Sequence, residues 1–124
     1  MSLEEQRLKE IKKIILEHKG KLSAINAREI ANMLDIPDND RFSITRGLIT
    51  KLIRDEELPI GAYENGYFLI ENQQELNEYM QRLNYRIIGI TNRKARLISN
   101  FEKYYGKPFS DTEEFDEGDD EDFI

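Results

Sequence analysis

An Asn-Gly step between two β-prone runs constrains this chain more than any other feature of its sequence. Leu58-Pro59-Ile60-Gly61-Ala62-Tyr63 leads into Glu64-Asn65-Gly66, and Tyr67-Phe68-Leu69-Ile70 follows. A type I′ turn needs positive φ at both central residues, which Asn-Gly tolerates well, so this stretch predicts a β-hairpin.

Three helices are expected before it. Leu8, Ile11, Ile14 and Ile15 fall at helical spacing, predicting a first helix from about Leu3 to His18 with Gly20 as its stop. Leu22 to Ile25 reads as a short extended piece. Asn26 is the expected N-cap of a second helix, with Glu29 completing a capping-box pair and Ile30, Ala31 and Leu34 on its buried face. That helix must end near Asp35, because Ile36 precedes Pro37 and is pushed out of the α region. Asp38-Asn39-Asp40 forms a polar turn and offers caps for a third helix, from about Arg41 to Glu56. In it Ile44, Leu48, Ile49, Leu52 and Ile53 make one apolar stripe, while Ser43, Arg46, Gly47, Thr50 and Arg54 lie opposite, flanked by Lys51. Helix, short strand, helix, turn, helix, hairpin is the order of a winged helix-turn-helix. The expected fold is mainly α with a small β-hairpin wing.

From Asn72, a cap with Glu75 at the third helical position, the chain is expected to stay helical to about Tyr105. Leu76, Met80, Leu83, Ile87, Ile90, Lys94, Leu97, Phe101 and Tyr104 alternate steps of four and three, a heptad register with one polar exception. Gly89 and Thr91-Asn92 are the places where this helix would break. Leu76 to Leu83 are expected to cover the domain's own core, and Ile87, Ile90, Leu97 and Phe101 to pack against a second copy in a homodimer. The flanking positions are poor in Glu-Lys pairs, which favours a compact antiparallel exchange over a long parallel zipper. The expected division is a winged-helix domain over 1–71, a C-terminal helix over 72–106 and a disordered acidic tail over 107–124.

Charge is unevenly distributed. The net charge is −7, yet nine of the 25 acidic residues lie beyond Ser110 and none of the 18 bases does, so the rest of the chain is mildly basic. A basic body with an acidic arm suggests a nucleic-acid binder. There is no cysteine, no apolar run long enough to span a bilayer, and no apolar stretch in the acidic start that would make a signal peptide, so a cytoplasmic protein is expected. The one histidine, His18, sits at a helix end, and no nucleophile-base set or glycine-rich phosphate loop can be assembled, so no enzyme, cofactor or metal site is expected.

A helix that reads a groove puts polar and cationic side chains opposite its core stripe. Ser43, Arg46, Thr50, Lys51 and Arg54 meet that requirement. Gly47 on the same side suits a close backbone approach. Arg82, Arg86 and Arg93 on the C-terminal helix are further candidates for DNA contact, with Lys94, Arg96, Lys103 and Lys12, Lys13, Lys19 and Lys21 as additional charge. The hairpin tip carries Glu64 rather than a cation and is expected only to close the fold. The terminal run Asp119, Asp120, Glu121, Asp122, Phe123 and Ile124 is expected either to fold back and compete with DNA or to dock in a basic pocket of a protein partner.

The run from Arg46 to Ile70, with Leu48-Ile49 and Leu52-Ile53-Arg54-Asp55 followed by Leu58-Pro59-Ile60-Gly61 and Gly66-Tyr67-Phe68-Leu69-Ile70, resembles small winged-helix proteins common in bacteriophage genomes. Glu75, Arg82 and Arg86 extend the likeness into the next helix, and a looser one reaches the DNA-binding domain of biotin-ligase repressors. The resemblance spans roughly Ser23 to Arg93 and implies double-stranded DNA binding through the third helix, in a regulatory or replication setting. The tail resembles the acidic C-terminus of single-stranded-DNA-binding proteins, although it ends Phe-Ile rather than Pro-Phe. Two alternatives stand beside a duplex-binding regulator. One is single-strand binding with Tyr63, Tyr67, Tyr104 and Tyr105 as stacking platforms. The other is a protein adaptor, in which Arg46 and Arg54 would be locked in ion pairs with Asp55, Glu56 or Glu57.

Overall fold

A computed structural model describes residues 1–64 and 66–110; the tail from Asp111, with its expected disorder and docking run, lies outside the described residues. The elements in chain order are α1 (Leu3–Leu16), a 3-10 turn (Lys21–Ser23) in place of the first part of the expected extended piece, β1 (Ile25–Asn26), α2 (Ala27–Met33), α3 (Ser43–Asp55), β2 (Ile60–Tyr63), β3 (Gly66–Leu69) and α4 (Gln73–Tyr105). The chain is mainly helical, with a small antiparallel sheet in the order β1-β3-β2 and a long C-terminal helix.

The core lies where α1, α2 and α3 meet the sheet. Ile11, Ile15, Ile30, Ile49 and Leu52 have no solvent exposure, and Ile25, Ile60 and Tyr67 close the core from the strands, while Phe68 is buried on the sheet's other face, towards α4. The helical spacing of α1 delivers Ile11, Ile14 and Ile15 to this core, and its end at Leu16 falls two residues before the expected end at His18. The His18 Nδ1–H then donates to the Ile14 carbonyl at 2.7 Å, which ties the chain back to the helix end. Gly20 follows at φ 83°, with its N–H donating to Leu69 O at 2.9 Å. A Cβ there would meet first the flexible end of the Glu71 side chain, so it is the positive φ that calls for glycine.

α2 starts on the expected capping box: Asn26 Oδ1 accepts from the Glu29 amide at 2.8 Å and Glu29 Oε1 accepts from the Asn26 amide. It stops at Met33, earlier than the expected Asp35. Asp35 takes the left-handed conformation (φ 51°) and the Ile36 N–H returns to Ala31 O at 2.9 Å, a closure typical of helix ends.

The start of α3 departs from expectation in an informative way. Its N-cap is Phe42, left-handed at φ 57°, whose side chain caps nothing. The Asp38 carboxylate reaches across instead, accepting from the Ile44 amide (3.0 Å), the Thr45 amide (2.8 Å) and the Thr45 hydroxyl (2.8 Å). Asn39 Oδ1 takes the Ser43 amide at 3.1 Å and the Arg41 amide at 3.0 Å. The expected apolar stripe shifts accordingly: Thr45 is fully buried and Ile44, expected in the core, is 45% exposed. Burial of Thr45 is tolerated because its hydroxyl is satisfied by Asp38.

The hairpin forms, but not with Asn65-Gly66 as its turn. Tyr63 pairs with Gly66, so Gly66 is the first residue of β3, and Glu64 takes positive φ (44°). Gly66 serves packing instead: an added Cβ would meet Ala24 Cβ at 2.9 Å, beside β1. Asn65 lies outside the described residues.

α4 runs unbroken for 33 residues, about 50 Å at 1.5 Å per residue, to the expected end at Tyr105, passing through Gly89 and Thr91-Asn92, where a break is the alternative. One glycine costs a helix about 1 kcal/mol, too little to interrupt a long cooperative ladder. Nothing lies within 4 Å of a Cβ built on Gly89. Gly89→Ala is therefore expected to stabilise the helix by about 1 kcal/mol in urea or thermal denaturation. The helix starts on Asn72 Oδ1, which accepts from the Glu75 amide at 2.9 Å. Glu75 in turn accepts from the Lys21 amide (2.9 Å) and the Glu71 amide (3.0 Å), fastening this end to the loop after α1. The domain-facing residues are Glu75, Glu78, Tyr79 and Leu83, each half-buried. Leu76 and Met80, expected to cover the core, remain 36% and 41% exposed beside it. Beyond Leu83, only Ile98 and Ser99 of α4 are half-buried and the rest of the helix is exposed. Among the described residues no helix is long and apolar enough to cross a membrane.

Candidate nucleic-acid interface

The N-terminal ends of α2 and α3 open onto a common cleft of about 430 Å³. Arg28 projects from the first turn of α2, Arg41 from the turn before α3, and Arg46 from the first full turn of α3; all three line the cleft. Ala27, Phe42, Ala62 and Tyr67 supply its apolar walls, and Asp40 is the one carboxylate among its lining residues. The Arg28 guanidinium lies over the Phe42 ring at 5.7 Å from the centroid, which holds a long side chain near the mouth.

Both helix starts are occupied by their own caps. Asp38 and Asn39 take the leading amides of α3, and the Asn26–Glu29 box closes α2. An anion at this cleft is therefore met by guanidinium groups rather than by helix-terminal amides. Arginine forks pair bidentately with phosphate oxygens, which suits this task. Burial on its own would raise the pKa of the Asp38 carboxyl. The hydrogen bonds from the Thr45 and Ile44 amides, the Thr45 hydroxyl and the Asn39 amide outweigh that and hold it below its ordinary value. The cap is thus a charged carboxylate at neutral pH.

The residues expected to contact DNA fall into separate groups. Ser43 and Arg46 sit at the cleft end of α3, both half-buried. Thr50 donates its hydroxyl to Arg46 O at 3.1 Å and, with Arg54, lines an apolar groove on the other side, between α3, β2 and α4. Arg54 Nε bonds Asp55 Oδ1 at 3.1 Å, the pairing expected of the adaptor reading, and both side chains are about 60% exposed (62% and 61%). Lys51 pairs with Glu4, and Lys12 with Glu56 at 2.8 Å. Exposed pairs of this kind are worth about 1 kcal/mol or less and exchange readily for a phosphate.

Arg82 stacks over the Tyr63 ring at 5.6 Å, with Lys21 over the same ring at 5.5 Å. Lys21 also bonds Glu78 at 2.6 Å, and this contact holds the ammonium above and the carboxylate below their ordinary ranges. Arg86 and Arg93 stand further along α4; Arg93 is ten residues, roughly 15 Å, past Leu83, the last residue of α4 that lines the groove. Tyr67, expected as a stacking platform, is 4% exposed and belongs to the core. Burial also raises the Tyr79 hydroxyl pKa, the nearby Arg86 and Arg82 opposing it only in part. Of the expected dimerisation residues, Ile87, Ile90, Leu97 and Phe101 are all exposed on α4. The tail residues Asp119 to Ile124 lie outside the described residues.

Arg28 and Arg41 are not indicated by the spacing along α3, which points only to residues of that helix. A capping box at Asn26 followed by Arg28, and a cation in the polar turn after Pro37, are the signals in the sequence that bear on them. Comparison with known protein families, curated proteins and solved structures finds no match.

Proposed function

We propose that this chain is a winged helix-turn-helix protein that binds double-stranded DNA as a bacterial or bacteriophage regulator of transcription or replication. The observation that carries the reading is the convergence of Arg28, Arg41 and Arg46 on one cleft between α2 and α3. The element order α1-β1-α2-α3-β2-β3, with β2 and β3 as the wing, supports it. The N-terminal half of α3 enters the major groove, and the cleft arginines hold the phosphates beside it. The tail, with nine carboxylates beyond Ser110, competes with DNA for the cationic surface or recruits a basic protein partner. Single-strand binding is less well supported, since Tyr67 is buried.

The test is binding of labelled duplex and single-stranded DNA to the full chain across a salt series. Duplex is expected to bind more tightly, with a log–log salt slope of about −3 for three to four phosphate contacts. Deleting residues 111–124 is expected to raise low-salt duplex affinity by about tenfold or more, since each removed carboxylate relieves a repulsion. Absence of duplex binding by both forms at low salt would exclude this reading. The second reading, a protein adaptor, is favoured by the Arg54–Asp55 pair and would then be pursued through the tail.

A further inference from the structure

We infer that two copies of this chain pair through α4 in an antiparallel register that seats Leu97 and Phe101 of each copy against the apolar groove of the other. This inference stands independently of DNA binding. The groove, about 400 Å³, lies between α3, β2 and the first turns of α4, with Ile53, Leu58 and Pro59 on one wall and Leu76, Met80 and Leu83 on the other. Those last three residues open the heptad stripe that continues through Ile87, Ile90, Lys94, Leu97 and Phe101. Along that continuation Ile87 is 59%, Ile90 42%, Leu97 61% and Phe101 45% exposed.

The stripe is complementary to itself reversed. With Ile87 set opposite Ile90 of the second copy, Met80 falls opposite Leu97 and Leu76 opposite Phe101, so every core position meets its alternate type, as antiparallel helix pairs require. Leu97 and Phe101 then arrive at the levels of Met80 and Leu76, where the groove lies. Lys94 falls opposite Leu83, near the edge of the domain. A parallel pair would set the two Lys94 ammonium groups against each other in the seam, at a desolvation and repulsion cost. The matched strip from Leu76 to Phe101 is roughly 40 Å long and about 10 Å wide. With the groove walls added, it reaches roughly 500 Å² per partner, the low end of specific complexes. A second copy accounts for both the stripe and the groove; another apolar helix would account for only the groove.

The same register brings Arg86 beside Arg93 of the second copy, two like charges flanking an apolar seam. Salt screens that repulsion, so pairing strengthens as salt rises, opposite to the salt dependence of DNA binding.

The chain contains no cysteine, so introduced thiols report the register cleanly. Full-length protein is expected to sediment as a dimer, more tightly at about 0.5 M than at about 0.05 M salt. The Met80→Cys/Leu97→Cys double variant, oxidised with diamide, is expected to form covalent dimers, while each single variant does not. Phe101→Glu is expected to weaken dimerisation by about a hundredfold with helicity retained, since Phe101 contacts only the neighbouring Tyr105 ring (5.0 Å) among the aromatic pairs. A monomer at about 100 µM, efficient cross-linking of the Leu97→Cys single variant, or an unchanged dimer in Phe101→Glu would overturn the inference.

Discussion

Alanine at Arg28, Arg41 and Arg46 together is expected to weaken duplex binding by about a hundredfold or more at low salt, and to flatten the salt slope by about 2 to 3. All three guanidinium groups line the same cleft, and every phosphate that is no longer neutralised keeps its counterion instead of releasing it. Because both helix starts are capped by their own side chains, no backbone amide takes over when the arginines go. Arg28 and Arg41 are exposed, so their removal leaves the core untouched, and circular dichroism checks that the same holds for the half-buried Arg46. Arg54→Ala, on the groove side and paired with Asp55, is expected to change affinity by no more than about tenfold. Equal losses from Arg54→Ala and the triple variant would move the contact surface down α3.

Asp38→Ala is expected to lower stability by about 3 kcal/mol, roughly 10–20 °C in Tm for a domain of this size. The substitution strands the Ile44 amide, the Thr45 amide and the hydroxyl of Thr45, a residue with no solvent exposure. The pH dependence follows from the same hydrogen bonds. The folded carboxyl titrates below its ordinary value, so its contribution is complete above about pH 4 and is lost as pH falls through the lowered value. Asp38→Asn keeps one acceptor but turns an amide NH2 toward donors. It is expected to be destabilising at neutral pH and to flatten the acid limb of the stability curve, as urea denaturation between about pH 2 and 7 would show. An acid limb as steep in Asp38→Asn as in the parent would place that titration elsewhere.

Much of this architecture can be read from spacing. The Ile11, Ile14, Ile15 stripe, the Asn26–Glu29 box and the Asn72 cap each involve residues within about one turn of helix, where sequence separation and spatial separation are nearly the same. The features that spacing does not reveal depend on contacts set by the path of the chain. Asp38 reaches Thr45 only because Phe42 turns left-handed between them. Arg28 joins Arg41 and Arg46 only because α2 and α3 bring their starts together. Gly66 looks like a turn residue for its conformational freedom, whereas its lack of a side chain beside Ala24 is what β3 uses. On α4, the heptad marks an apolar stripe, but the surface that meets β2 lies to one side of it, through Glu75, Glu78 and Tyr79.

Nuclear magnetic resonance titration of the isotopically labelled full chain with a short duplex at low salt tests the proposed DNA interface most directly. Amide shifts concentrated at 27–29 and 41–50, with guanidinium signals of Arg28, Arg41 and Arg46 moving together, are the predicted result. Shifts confined to α4, or none at all, would contradict it.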